Sequence, residues 1–120
     1  MPNVSLFLQR SAGGFSHWCP GCQEMHFIST GLPYSVRWKF DGNLYRPSFE
    51  PSVKHTGIVR KRDENGRWTG GWEFAEDGKP KHYVCHYELK AGRLIFYPDS
   101  THALAGVTAD LPRLPPELRE

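Results

Sequence analysis

Two cysteines sit at the spacing Cys19-Pro20-Gly21-Cys22, and a third lies far downstream at Cys85. Cys-x-x-Cys across a Pro-Gly turn aims two sulfurs at one point and lets backbone N–H groups soften the thiolate charge, so it supplies two of the four ligands of a tetrahedral metal site. A redox pair of the thioredoxin type would open a helix within a βαβ unit, whereas short strand-like segments surround this one. The N-terminal run Val4 to Leu8 is too brief for a secretory signal and follows no basic region. An odd cysteine count without such a signal favours metal chemistry over a disulfide framework.

The third ligand is then Cys85, and a histidine is expected as the fourth. His102 is the first choice, because the chain at Asp99 to His102 passes just beyond the hairpin that carries Cys85. His26, four residues after Cys22, and His86 are the alternatives, and His17, His55 and His82 read as surface or cross-strand residues. The ligand set is therefore Cys19, Cys22, Cys85 and His102, and the metal Zn2+. Three thiolates make such a zinc electron-rich and a poor Lewis acid, which favours a closed structural site.

The rest of the chain reads as all-β. Its 120 residues include 12 Gly and 10 Pro, yet four Trp, five Tyr and seven Phe argue against disorder. Apolar segments are short, rich in Val, Ile, Phe, Tyr and Trp, and bounded by turn residues. The expected strands are Val4 to Gln9, Phe15 to Trp18, Met25 to Ser29, Ser35 to Phe40, Val53 to Arg60, Arg67 to Phe74, His82 to Leu89 and Arg93 to Tyr97. They form a small, mostly antiparallel meander in which a zinc-ribbon-like knuckle ties two hairpins. Residues 1–110 are expected as a single zinc-binding domain, 60–81 as a polar projecting hairpin or loop, and 111–120 as a Pro-rich C-terminal tail. A weak helical turn is expected over Thr101 to Gly106. In the clearest hairpin, Lys90-Ala91-Gly92 joins two strands. Counting from Leu89 and Arg93 puts Cys85 opposite Tyr97, with Tyr83, Cys85 and Tyr87 on one face and Val84, His86 and Glu88 on the other.

No apolar run approaches the about 20 residues of a spanning helix, so no membrane partner is expected and the location reads as cytoplasmic. A net charge of +2 gives no general case for nucleic acid. The hairpin with Trp68 and Trp72 among Arg60, Lys61, Arg62 and Arg67 keeps a nucleic-acid-binding module as one alternative. Arg46-Pro47-Ser48-Phe49-Glu50-Pro51-Ser52-Val53 is an extended segment with exposed hydroxyls and an anion-holding Arg at its head. Arg46, Ser48, Trp68 and Trp72 are the candidate partner-binding residues. No zinc-protease or deaminase signature is present, so no catalytic residue is expected. The alternative is a zinc-dependent hydrolase using metal-bound water, with His86, Arg46 and Asp99 around it.

Trp18-Cys19-Pro20-Gly21-Cys22, His26, Trp38-x-Phe40-Asp41-Gly42-Asn43, Arg46-Pro47-Ser48-Phe49-x-Pro51-Ser52-Val53, Cys85-His86 and Asp99-Ser100-Thr101-His102-Ala103-Leu104-Ala105-Gly106 form an ordered series. With it the chain resembles a family of small phage and prophage proteins of unknown function, some of them labelled ammonia monooxygenase. The resemblance spans about Phe15 to Pro112, and its motif positions fall on Cys19, Cys22, His26, Arg46, Cys85, His86 and His102. Many relatives have Cys where Ser100 stands here. The oxygenase label fails physically, since a membrane copper enzyme needs spanning helices. The resemblance implies a zinc-binding phage accessory protein in the host cytoplasm. Its expected main role is to bind a protein partner, either a host factor or a phage component.

Overall fold

The computed structural model describes residues 3–118. Three short strands, β1 (Leu8–Ser11), β2 (Gly14–Cys19) and β3 (Glu24–Ser29), pair antiparallel in the order β1-β2-β3. A five-stranded sheet holds β4 (Lys39–Phe40), β5 (Phe49–Ile58), β8 (His82–Lys90), β9 (Arg93–Phe96) and β10 (Thr108–Asp110), in the order β10-β9-β8-β5-β4. Between β5 and β8 the chain makes an excursion, the ladder of β6 (Arg60–Arg62) and β7 (Trp68–Trp72). No helix among the described residues is long and apolar enough to cross a membrane.

The core lies between the two larger sheets. Cys19 and Ile28 meet Phe49, Val53, Cys85, Tyr87, Leu89, Leu94 and Phe96 in one buried cluster. Alternation in β8 produces it: Cys85, Tyr87 and Leu89 are buried, while Val84, His86 and Glu88 take the outer face and are only partly covered.

Several expectations about the elements change. The β8–β9 turn has two residues, since Lys90 pairs with Arg93, and the register moves by one from the expected one: Tyr87 faces Phe96. Ala91 (φ 49°) and Gly92 (φ 75°) both adopt positive φ, as a tight hairpin turn of type I′ requires. The strand expected from Ser35 is reduced to Lys39–Phe40, because Trp38 instead donates its N–H to Ser29 C=O at 2.8 Å. Residues 101–107 form turns rather than a helical turn, and the following β10 was not expected at all.

β5 starts four residues earlier than expected and runs through Pro51. Phe49 pairs with Leu89 and Val53 with Tyr87, so Glu50, Pro51 and Ser52 together oppose only Glu88. Such a bulge tolerates proline, which has no N–H to give a ladder, and it re-aims the side chains beside it. In the Pro-rich C-terminal segment, Leu111 and Leu114 are buried, with Leu114 N–H donating to Leu6 C=O at 2.8 Å. A short 3₁₀ turn, Pro116–Leu118, follows, and residues 119–120 of the expected tail lie outside the described residues.

Candidate functional site

The Pro20-Gly21 turn joins β2 to β3, and Cys22 N–H donates to Cys19 Sγ at 3.4 Å. Cys85 reaches the same point from β8, with Sγ 3.8 Å from that of Cys19 and 3.4 Å from His102 Nε2. The ligand atoms of Cys19, Cys22, Cys85 and His102 all lie within 4.8 Å of one another. In a tetrahedral site with metal–sulfur bonds of about 2.3 Å and metal–nitrogen bonds of about 2.0 Å, two sulfurs stand about 3.8 Å apart and sulfur and nitrogen about 3.5 Å. The spacings fit a metal ion. Gly21 is required here, since a Cβ at that position would run into the His102 ring. Ligation through Nε2 puts the ring proton on Nδ1, so the contact of Leu104 N–H with that nitrogen, 3.1 Å, has to open.

Crowding three thiols together makes them share charge. Cys19 is held well below the ordinary thiol range by hydrogen bonds from Cys22 and Cys85. Cys22 is pushed up to about 12, first by donating to Cys19, and Cys85 is raised for the same reason. A cation that binds three thiols so placed displaces their protons and relieves this competition.

The two alternative histidines are placed differently, His26 beside the cluster and His86 on the far face of β8. His26 is buried, stacks on His55 at a centroid distance of 4.0 Å, and groups with Cys22 and Glu24. His17, expected on the surface or across a strand, is opposite His26 as a strand pair but fully buried. His86 follows Cys85 on β8 and so points to the opposite, outer face.

On that outer face a second constellation forms. His86 Nδ1 lies 3.1 and 3.2 Å from the two carboxylate oxygens of Asp99, and its Nε2 lies 3.3 Å from Ser52 Oγ. The carboxylate only accepts, so Nδ1 carries the proton and Nε2 is free to accept from the serine hydroxyl. Tyr97 stacks on the imidazole at 4.2 Å and donates its hydroxyl to Glu88 at 2.9 Å. The Ser100 hydroxyl accepts His86 N–H at 3.0 Å and donates to His86 C=O at 3.1 Å, which fixes the backbone of the histidine. Lys54 Nζ stands 3.9 Å from Asp99. A hydroxyl, an imidazole and a carboxylate in this sequence are the parts of a nucleophile–base–orienter relay.

A family model described as bacterial ubiquitination-like system serine protease (BubE) matches residues 1–97. The chain belongs to that family. No curated protein and no solved structure matches it. The BubE match corrects the expected main role: a phage accessory protein whose task is to bind a partner does not agree with a family described as serine proteases. The hydrolase alternative agrees better. BubE membership also gives the resemblance its wider frame, a bacterial system. Ser52 and His86 fall inside the matched region, and Asp99 two residues beyond it.

Sequence reasoning missed Ser52. It singled out Ser48 instead, whose hydroxyl accepts Ala91 N–H at 2.8 Å and so braces the β8–β9 turn. The available signal was alternation, because Ser52 precedes a core valine and therefore faces outward with His86. Arg46 stands apart from the relay, on a different cavity with Tyr45, Gly92 and Arg93. Trp68 and Trp72 pair at 5.2 Å on the exposed β6–β7 ladder, with Arg60 5.7 Å over Trp68.

Proposed function

We propose that this chain is a peptide-bond hydrolase of a bacterial ubiquitination-like system, with Ser52 as nucleophile, His86 as general base and Asp99 as the group that orients it. What carries the reading is the unbroken chain of contacts from Asp99 through His86 to Ser52 on the outer face of the sheet. Ser52 Oγ attacks the scissile carbonyl as His86 Nε2 takes its proton. His86 returns that proton to the leaving amine. Water, deprotonated by the same imidazole, then cleaves the acyl-serine and regenerates the hydroxyl. Asp99 stays ionised throughout and stabilises the imidazolium.

The cation in this reading is Zn2+, held by Cys19, Cys22, Cys85 and His102. Four protein ligands complete a tetrahedron, and the cluster lies on the face of the sheet opposite to His86, so the ion braces the fold while the serine does the chemistry. Partner recognition by Arg46, Ser48, Trp68 or Trp72 has no role in it.

A fluorophosphonate probe followed by peptide mass mapping tests the nucleophile. Labelling at Ser52, lost in Ser52→Ala and in His86→Ala, is expected. Labelling elsewhere, or none in the folded wild-type protein, rejects the assignment. Elemental analysis is expected to give about one zinc per chain, absent after Cys22→Ser.

A further inference from the structure

The five-stranded sheet leaves a long edge unpaired next to Ser52. On that side β4 covers only Phe49 and Glu50 of the ten-residue β5. The direction of the remaining backbone groups follows from β8. His86 C=O accepts Tyr97 N–H and Val84 C=O accepts Thr101 N–H, both at 2.8 Å, so these two residues direct their polar groups away from β5. Cys85 and Tyr87 direct theirs toward β5, where they face His55 and Val53. By alternation Lys54 and Thr56 turn their N–H and C=O outward, where no strand lies beside them among the described residues. Ser52 C=O accepts the Trp38 indole N–H at 3.2 Å, which closes the edge at the nucleophile. Beyond Ser52 a groove of about 620 Å³ continues, bordered by Lys39, Glu50, Glu88 and Lys90.

We propose that the substrate is an extended, locally unfolded stretch of polypeptide, which adds as a strand at Lys54 and Thr56, crosses Ser52 and continues into this groove. The inference rests on the serine-hydrolase reading above. Outward groups two residues apart on a strand are about 6.7 Å apart, a repeat that another peptide backbone matches at every second residue. A helix or an internal sheet strand has already used those groups on itself, so a tail or linker is cleaved where a folded surface is not. The indole on Ser52 C=O stops the pairing there, so the incoming chain lifts off the edge and passes over the hydroxyl. Main-chain pairing reads no side chains, and the groove with two acids and two lysines on its border is where sequence preference arises.

The test uses a pool of random decapeptides as substrate and p-nitrophenyl acetate as a small ester that needs no edge. Thr56→Pro removes an outward N–H and an exposed hydroxyl but no hydrogen bond of the ladder to β8, which is left intact. It is expected to lower cleavage of the pool about tenfold or more, with ester hydrolysis and fluorophosphonate labelling of Ser52 unchanged. As a second measurement, hydrogen exchange on Ser52→Ala protein is expected to show the Lys54 and Thr56 amides becoming protected when the pool is added. A pool left uncut by a protein whose Ser52 labels normally overturns the edge proposal alone. So does equal pool cleavage by Thr56→Pro, or exchange at Lys54 and Thr56 unchanged by the pool. Absence of Ser52 labelling overturns the hydrolase reading, and this proposal with it.

Discussion

A serine becomes a nucleophile through its neighbours, and each neighbour of Ser52 can be changed separately. Asp99→Asn keeps the size of the side chain but offers Nδ1 a group that also donates, so the imidazole can take the wrong tautomer. It is expected to lower kcat by about a thousandfold with KM little changed, measured on any substrate that Ser52→Ala no longer cleaves. His86 and Asp99 were both named from the sequence as groups around a metal-bound water, and the structure instead brings them together with Ser52. Ser52 was legible only as a residue that alternation turns outward from Val53, because its contact with His86 depends on three residues of β5 opposing only Glu88, a bulge that no local pattern announces. His17 and His55, expected on the surface or across a strand, do sit across from strand partners, but His17 is fully buried and His55 half-buried. Trp18 C=O accepts from His17 Nδ1–H, so His17 Nε2 accepts the Tyr87 hydroxyl at 2.6 Å, and Tyr87 in turn accepts from His55 Nε2 at 3.3 Å. Burial first, then the charge of His26, lowers His17 to about 4, and burial with His26 and His17 lowers His55 to about 4. The nearby Cys19 thiolate only partly offsets this. Both groups bind protons more weakly folded than unfolded, so their stabilisation is complete above pH 6.5 and is lost as pH falls toward 4. For sealed His17 the loss is about 3 kcal/mol, and urea midpoints are expected to drop steeply between pH 6.5 and 4.5.

Among the elements, the β8–β9 hairpin was the most legible and still came out one residue off. Lys90-Ala91-Gly92 reads naturally as a three-residue loop, but alternation in both strands closes on Ala91-Gly92, and a turn of that length forces Ala91 to φ 49°. Asn accepts this conformation with less strain than Ala. Ala91→Asn is therefore expected to stabilise the protein by about 0.5 kcal/mol, read as a raised Tm with the same activity. β10 carries only Thr108, Ala109 and Asp110, too short and polar to show a pattern, and it exists because β9 offers it a free edge. The knuckle is the opposite case. Cys-Pro-Gly-Cys was visible at once, and the structure adds why the third position is Gly: the His102 ring occupies the space of a side chain there. Gly21→Ala is expected to weaken metal retention against a competing chelator more than tenfold, because Cys19 and Cys22 remain but His102 is displaced.

For the molecule as a whole, the metal cluster and the serine relay are two sides of one piece of chain. Cys85 and His86 are neighbours on β8 and point to opposite faces, while Asp99 and His102 sit three residues apart on one loop and divide between the same two sites. That Cys85 and His86 point to opposite faces was legible from strand alternation. That the loop serves both sites was not, because it depends on Ser100 and Thr101 fastening it to His86 and Val84. An ion bound at His102 would anchor the far end of the segment that carries Asp99. Removing it releases one end of that segment and leaves Ser52 and His86 on paired strands. Stripping the metal with a strong chelator is expected to lower the Tm and, below the new transition, to slow fluorophosphonate labelling of Ser52 about tenfold or more. Added Zn2+ should restore both. In Asp99→Asn protein the same treatment should lower the Tm equally while labelling changes little, since the group that the ion positions is already lost. Equal slowing in both proteins would mean that the metal acts on Ser52 or His86 directly and that the loop is not its route.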